Sequence, residues 1–214
     1  MTGSTNTLKG AERTGMRTRK IAACGMFAAI AAVLMFFEFP LPVAPPFYKL
    51  DLSEIPVLIG TFAFGPIAGV VIEFLKIAVK TAIKGTSTAF VGEIANFVIG
   101  CSMVIPAGII YKMNKSRKTA VVGLVTGTLV MAAAGAMINA FVLLPAYSAA
   151  YGMPLDAIIG MGTAVNASVK DVFTFVLICV APFNLIKGVV VSVLTLFLYK
   201  RISRFVKGAG EGNA

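Results

Sequence analysis

The sequence predicts an all-α integral membrane protein, a bundle of six transmembrane helices with both termini in the cytoplasm. Of its 214 residues 58% are hydrophobic and 13% charged, with a mean hydropathy of +0.91, a composition far from that of a water-soluble domain. Apolar runs of about 20 residues, the length that spans a bilayer as a helix, recur from Ile21 to Tyr199. The basic residues behind the net charge of +10 gather at the ends of those runs. That is the pattern of topology signals and not of a nucleic-acid-binding face.

The chain divides into an N-terminal cytoplasmic tail over 1–19, one membrane domain over 20–204 and a C-terminal cytoplasmic tail over 205–214. Helices are expected at 20–38, 52–64, 66–84, 91–112, 119–144 and 169–202. Ahead of the first, Arg13, Arg17, Arg19 and Lys20 resemble the start of a secretory signal. The apolar run, however, passes into FEFPLPVAPPF without a small-residue cleavage site, so it reads as a span. Gly65-Pro66 separates the second helix from the third, because proline fits the first turn of a helix and disrupts its interior. A five-helix reading stays open at this point.

Basic clusters at 13–20, at Lys112, Lys115, Arg117 and Lys118, and at Lys200, Arg201, Arg204 and Lys207 are separated by even numbers of crossings. All three then face the cytoplasm, and the loops 38–52, 85–91 and 145–168 lie outside. Four prolines between Glu38 and Pro46 stiffen the first of these loops. It reads either as a connector or as a lid carrying Phe47 and Tyr48. Asp51 and Glu54 have the spacing of a capping box, with Ser53 the alternative cap. LDAIIGMG, after Pro154, reads as a short surface helix. Asn166-Ala167-Ser168 fits a glycosylation sequon, a triplet common by chance. The terminal GAGEGNA reads as disordered.

Several function classes fall away. The chain has no histidine, which excludes imidazole relays, histidine-based triads and the common histidine-ligated metal sites. Cys24, Cys101 and Cys179 sit inside apolar runs, where they pack as small hydrophobes, and an odd number gives no disulfide framework. There is no phosphate-binding loop, nucleophile elbow or metal-ligand run. The chain is not read as an enzyme, and no catalytic cofactor is expected.

Polar groups at membrane depth are more telling, since a charged side chain at the bilayer centre costs roughly 2.5–3.5 kcal/mol on insertion scales. Asn184 and Lys187 lie one turn apart in the last apolar run, Glu93 and Asn96 share a helix face, and Asn139 follows MAAAGAMI. Under the topology above, Glu93, Asn139 and Asn184 fall in the outer half of the membrane and can form one polar pocket. The alternative is mutual satisfaction, with interhelical hydrogen bonds and a Lys187–Glu93 ion pair. Glu73, Lys76, Lys80 and Lys84 form a stripe that snorkelling and a Glu73–Lys76 pair explain. Small residues at four-residue spacing in the first helix, Gly25 with Ala29 and Ala28 with Ala32, permit close approach of another helix. Gly65/Gly69 and Gly123/Gly127 share that spacing, so it suits internal packing as well.

With those residues in view, the sequence resembles the substrate-specificity (S) component of an energy-coupling factor (ECF) vitamin transporter, of the riboflavin-binding type. The resemblance runs over nearly the whole chain. It is carried by FPLPVAPPFYKLDLSEIPVLIGTFAFGPIAGVVIEFLK, VGEIANFVIG, INAFVLLPAY and APFNLIKGVVVSVL, in that order. It implies a six-helix substrate-binding domain in the cell membrane that captures riboflavin from outside. It also implies association with a membrane coupling subunit (T component) and two cytoplasmic ATPase subunits. Flavin-contacting positions fall at Asn139, Asn184 and Lys187, with Glu93 and Asn96 in the matching GEIANF stretch and the lid at 39–50. The coupling interface falls on the first helix, with Ala28 and Ala32 the best match and Gly25 and Ala29 next.

The chemistry agrees with what the resemblance implies. The pyrimidine edge of an isoalloxazine presents carbonyl, N–H and carbonyl, and a carboxamide both donates to and accepts from such an edge. Lys187 can donate to a ring carbonyl or nitrogen, while Phe47 and Tyr48 close over the flat ring. Two other readings remain, an S component for a different small nutrient and a self-contained membrane carrier, although no paired inverted halves are visible.

Overall fold

Apolar segments of this length close their backbone hydrogen bonds within helices, and the chain is correspondingly almost all helix. The computed structural model describes residues 3–86 and 90–208, with side chains over 17–86, 90–149 and 152–199. The tail expected to be disordered lies outside the described residues from 209 onward. Helix α1 spans Gly3–Phe36, so the expected N-terminal tail continues the first helix. A two-stranded hairpin follows, β1 (Phe39–Pro40) pairing antiparallel with β2 (Lys49–Leu50). Then come α2 (Glu54–Phe64), α3 (Pro66–Lys84) and α4 (Val91–Met113). Helix α5 (Arg117–Ile138) runs through a π-turn at Asn139–Leu143 into α6 (Leu144–Tyr151). After α7 (Leu155–Val165), the last rod begins as α8 (Val172–Phe175) and passes a π-turn at Val176–Val180 into α9 (Ala181–Gly208).

Four stretches among the described residues are long and apolar enough to cross a membrane: Arg17–Phe36, Val91–Met113, Arg117–Ala149 and Val172–Tyr199. Helix α2, expected as a full span over 52–64, has only 11 residues, about 16 Å of rise at roughly 1.5 Å per residue. It begins inside the bundle. Helix α3 has the length but carries Glu73, Lys76, Lys80 and Lys84.

The segment 38–52 is more than a stiff connector. Its prolines leave only a minimal ladder, and after β2 the chain turns inward, so that Leu50, Asp51 and Ser53 are buried. Ser53 occupies the N-cap of α2 with no side-chain bond to it, and Asp51 Oδ1 accepts the Ser53 N–H at 2.9 Å. Glu54 makes no capping box and instead pairs with Lys76.

Two apolar clusters organise the interior. The first gathers Ala28, Leu58, Ile72, Val104, Leu124, Met131 and Val191; the second gathers Leu50, Leu144, Ile158, Phe175, Cys179 and Phe183. On the loop into α2, on the α5–α6 rod and on α9 the polar residues fall in sequence between the two. The result is a polar layer made of Asp51, Glu54, Asn139, Asn184 and Lys187. Large side chains such as Ile67, Phe141, Phe173 and Phe197 are exposed on the outside, as a lipid-facing surface requires.

Two small-residue pairs resolve differently. A Cβ on Gly123 or Gly127 would stand 2.8 Å from Ala107 O or 2.6 Å from Met103 O, so this pair is the seam between α5 and α4. On α1, Ala28 and Ala32 are each 2% exposed and pack inside the bundle. Gly25 and Ala29, the second pair expected for the coupling surface, are the ones exposed. An apolar helix gives no polar face from which its rotation can be read.

At the end of the bundle that carries the hairpin, Glu38 holds three lysines, Lys84 at 2.8 Å, Lys49 at 3.1 Å and Lys80 at 3.3 Å. Burial alone would push its carboxyl up, but the hydrogen bonds from Lys84 and Lys49 and the charge of Lys80 hold it at about 2 instead of the ordinary 4.5. A depressed carboxyl contributes stability above its unfolded value and loses it as the pH falls toward the folded one. Glu38→Gln should thus melt below the native protein above a pH of about 4.5, with the difference closing toward about 2. A difference that does not change with pH in thermal scans would contradict this.

Candidate functional site

Where the first loop turns inward beside α3, α4, α6 and α9, it leaves a cavity of about 700 Å³. This lies within the range of roughly 300–1,000 Å³ typical of small-molecule sites. Its wall contains Phe47, Tyr48, Glu93, Asn96, Asn139, Asn184 and Lys187, so seven residues expected from separate stretches of sequence meet at one place.

The two asparagines owe their positions to the π-turns. Such turns recur at functional sites because the extra residue re-aims side chains and frees a carbonyl. Asn139 opens one π-turn and donates through Nδ2 to Gly135 O at 2.7 Å, while Tyr48 donates its hydroxyl to Asn139 Oδ1. Asn184 follows the other and donates to Val180 O at 3.0 Å. Its Oδ1 accepts no hydrogen bond from the described residues. Each carboxamide retains an N–H, and Asn184 its oxygen, for a guest.

Lys187 stands 15 residues along the rod from Val172, about 22 Å at roughly 1.5 Å per residue. Its ammonium donates to Asp51 Oδ2 at 3.0 Å, with both residues buried. The Lys187–Glu93 pair expected as the alternative does not form, because the inward-turning loop delivers a nearer carboxylate. Glu93 instead accepts from Thr86 at 3.0 Å in the first turn of α4. One ammonium proton serves Asp51, which leaves donors for a ligand.

Aromatic rings line the upper wall. Tyr48 lies 4.7 Å from Phe47, 5.6 Å from Phe183 and 6.3 Å from Phe175 between ring centres, and Phe47 meets Tyr147 edge-on at 6.1 Å. These distances suit a flat apolar guest. Sequence reasoning missed Asp51, Tyr147, Phe183 and Gly135. The Asp51 pairing spans 136 residues and no local pattern encodes it. Gly135 had a signal in MAAAGAMI, since a Cβ there would lie 2.7 Å from Asn184 Nδ2.

The stripe on α3 also differs from expectation. Lys76 does not snorkel; it is fully buried, 2.7 Å from Glu73 and 2.9 Å from Glu54. Of the four, only Lys80 and Lys84 reach Glu38 at the end of the bundle. No group of three metal-ligating side chains occurs among the described residues.

Comparison with known proteins accounts for this architecture. Residues 19–199 match the family model of the ECF transporter, substrate-specific component. The chain is 33% identical over 202 residues to the riboflavin transporter RibU of Staphylococcus aureus (strain TCH60), covering 94% of this chain and 99% of that one. It is 30% identical over 193 residues to the riboflavin transporter FmnP of Bacillus subtilis (strain 168), covering 90% and 96%. Among solved structures, one described as the S component of a bacterial ECF transporter superposes with a TM-score of 0.69 at 34% identity, covering 89% of this chain and 99% of that one. These are transporter components and not enzymes, and the chain belongs to the substrate-specific components of ECF transporters.

Proposed function

We propose that this chain captures riboflavin on the outer side of the cell membrane and delivers it for ATP-driven uptake. It works as a six-helix bundle in which α2 and α3 complete the four longer spans, with both termini in the cytoplasm. Its partners are a membrane coupling subunit and two cytoplasmic ATPase subunits. The observation that carries this reading is the convergence of Asn139, Asn184 and Lys187 with Phe47 and Tyr48 on one cavity. Both relatives named above are riboflavin transporters.

In this reading the isoalloxazine slides between the aromatic wall and the polar floor. Asn184 and Asn139 meet its pyrimidine edge, and Lys187, steadied by Asp51, donates to a ring carbonyl or nitrogen. Glu93 and Asn96, at the α4 wall, face the ribityl hydroxyls. A guest lacking those polar atoms leaves the buried groups unpaired and is rejected.

Titration of the purified protein with riboflavin, followed by quenching of flavin fluorescence, tests the proposal. Saturable quenching that thiamine and biotin do not compete for is expected; no quenching would overturn it. Asn184→Ala should weaken binding by about tenfold or more, since a buried hydrogen bond lost in this way costs about 1.5–3 kcal/mol. Gly135→Ala should weaken it as well by displacing the Asn184 carboxamide, although Gly135 itself does not line the cavity. Unchanged affinity in both variants would place the flavin elsewhere.

A further inference from the structure

Below the cavity floor lies a second polar cluster that takes no part in lining the cavity. Lys76 Nζ sits 2.9 Å from Glu54 Oε1 and 2.7 Å from Glu73 Oε1, and the three side chains are 0%, 2% and 0% exposed. We propose that Glu54, Lys76 and Glu73 form an enclosed proton-binding site, in which two carboxylates share one ammonium and one retained proton.

Charge counting carries the argument. The neighbouring charges, Asp51 on the loop into α2 and Lys187 on α9, neutralise one another at 3.0 Å. That leaves two carboxylates against one ammonium, sealed from water at membrane depth. An uncompensated charge there is costly even after relaxation. The remaining wall, on α4, offers no cation among the described residues. It presents Gly100 and the Cys101 thiol, and a Cβ on Gly100 would stand 2.3 Å from Glu73 Oε1 and 3.2 Å from Glu54 Oε1. Both carboxylates therefore press on the same bare backbone.

Hydrogen bonding points the same way. Glu54 Oε2 and Glu73 Oε2 have no hydrogen-bond partner among the described residues, and Glu73 Oε1 has only its ion pair with Lys76. Two buried acceptors with no donor are unfavourable, and one added proton turns one of them into a donor that the other carboxylate can accept. A metal ion does not suit the place, because the Lys76 ammonium already occupies the position between the carboxylates. The cluster is shut off from water in this conformation, so the proton is taken up as the chain folds.

Infrared spectroscopy of the purified protein at neutral pH tests this through the carbonyl band of an undissociated carboxylic acid. The native protein should show the band. Glu73→Gln should lose it, and Glu54→Gln should lose it too, because Glu73 then ionises against Lys76. Glutamine matches the size and bonding of a protonated glutamate, so Glu73→Gln should keep the native melting temperature and riboflavin quenching. Absence of the band from the native protein, its persistence in either variant, or failure of Glu73→Gln to fold would overturn the proposal.

Discussion

Asp51→Asn should destabilise the folded protein by about 3–5 kcal/mol, because it leaves the Lys187 ammonium buried without its counter-charge. The pair lies at 3.0 Å with both side chains buried, and among the described residues Lys187 has no other carboxylate within ion-pair distance. Lys187→Met should cost a similar amount through the orphaned Asp51 and should also weaken riboflavin binding by about tenfold or more, since a ligand donor is lost. The double variant Asp51→Asn/Lys187→Met should regain much of the stability while still binding poorly. Breaking a buried pair is expensive, whereas removing both charges is often close to neutral. Thermal melts and flavin titrations of the three variants separate the two roles. Additive stability losses would show that the residues do not act as a pair.

Gly25→Trp or Ala29→Trp should abolish riboflavin uptake in cells while leaving flavin binding by the purified chain intact. Both positions are exposed on α1, where a bulky ring costs the fold little but blocks close approach of a partner helix. Ala28→Trp and Ala32→Trp should behave differently. Those positions are 2% exposed, and a ring there overpacks the bundle and lowers stability along with binding. Persistent uptake in both outer variants would move the coupling surface to another helix.

Much of the scaffold was legible because its signals are local. Apolar runs marked where the rods lie, although α1 extends back to Gly3 and the α5–α6 rod on to Tyr151, and Gly65-Pro66 marked the break between α2 and α3. The candidate ligand residues were legible for a related reason: a carboxamide or ammonium inside an apolar run is conspicuous wherever the chain later folds. What escaped depends on long-range geometry. The inward turn of the first loop makes Asp51 the partner of Lys187 and begins α2 within the bundle, and nothing near Asp51 in sequence announces it. The rotation of α1 was likewise hidden, because small residues occur on both of its faces. Lys76 looked like a surface lysine until Glu54, 22 residues away, supplied its second partner. The π-turns that set Asn139 and Asn184 leave no mark in residue type.

The most direct measurement is the absorbance spectrum of the protein purified in detergent from riboflavin-fed cells. The account predicts a yellow protein with a flavin spectrum, and a colourless Asn184→Ala/Lys187→Met variant prepared in the same way. A colourless native protein that takes up no riboflavin when it is added back would contradict the account.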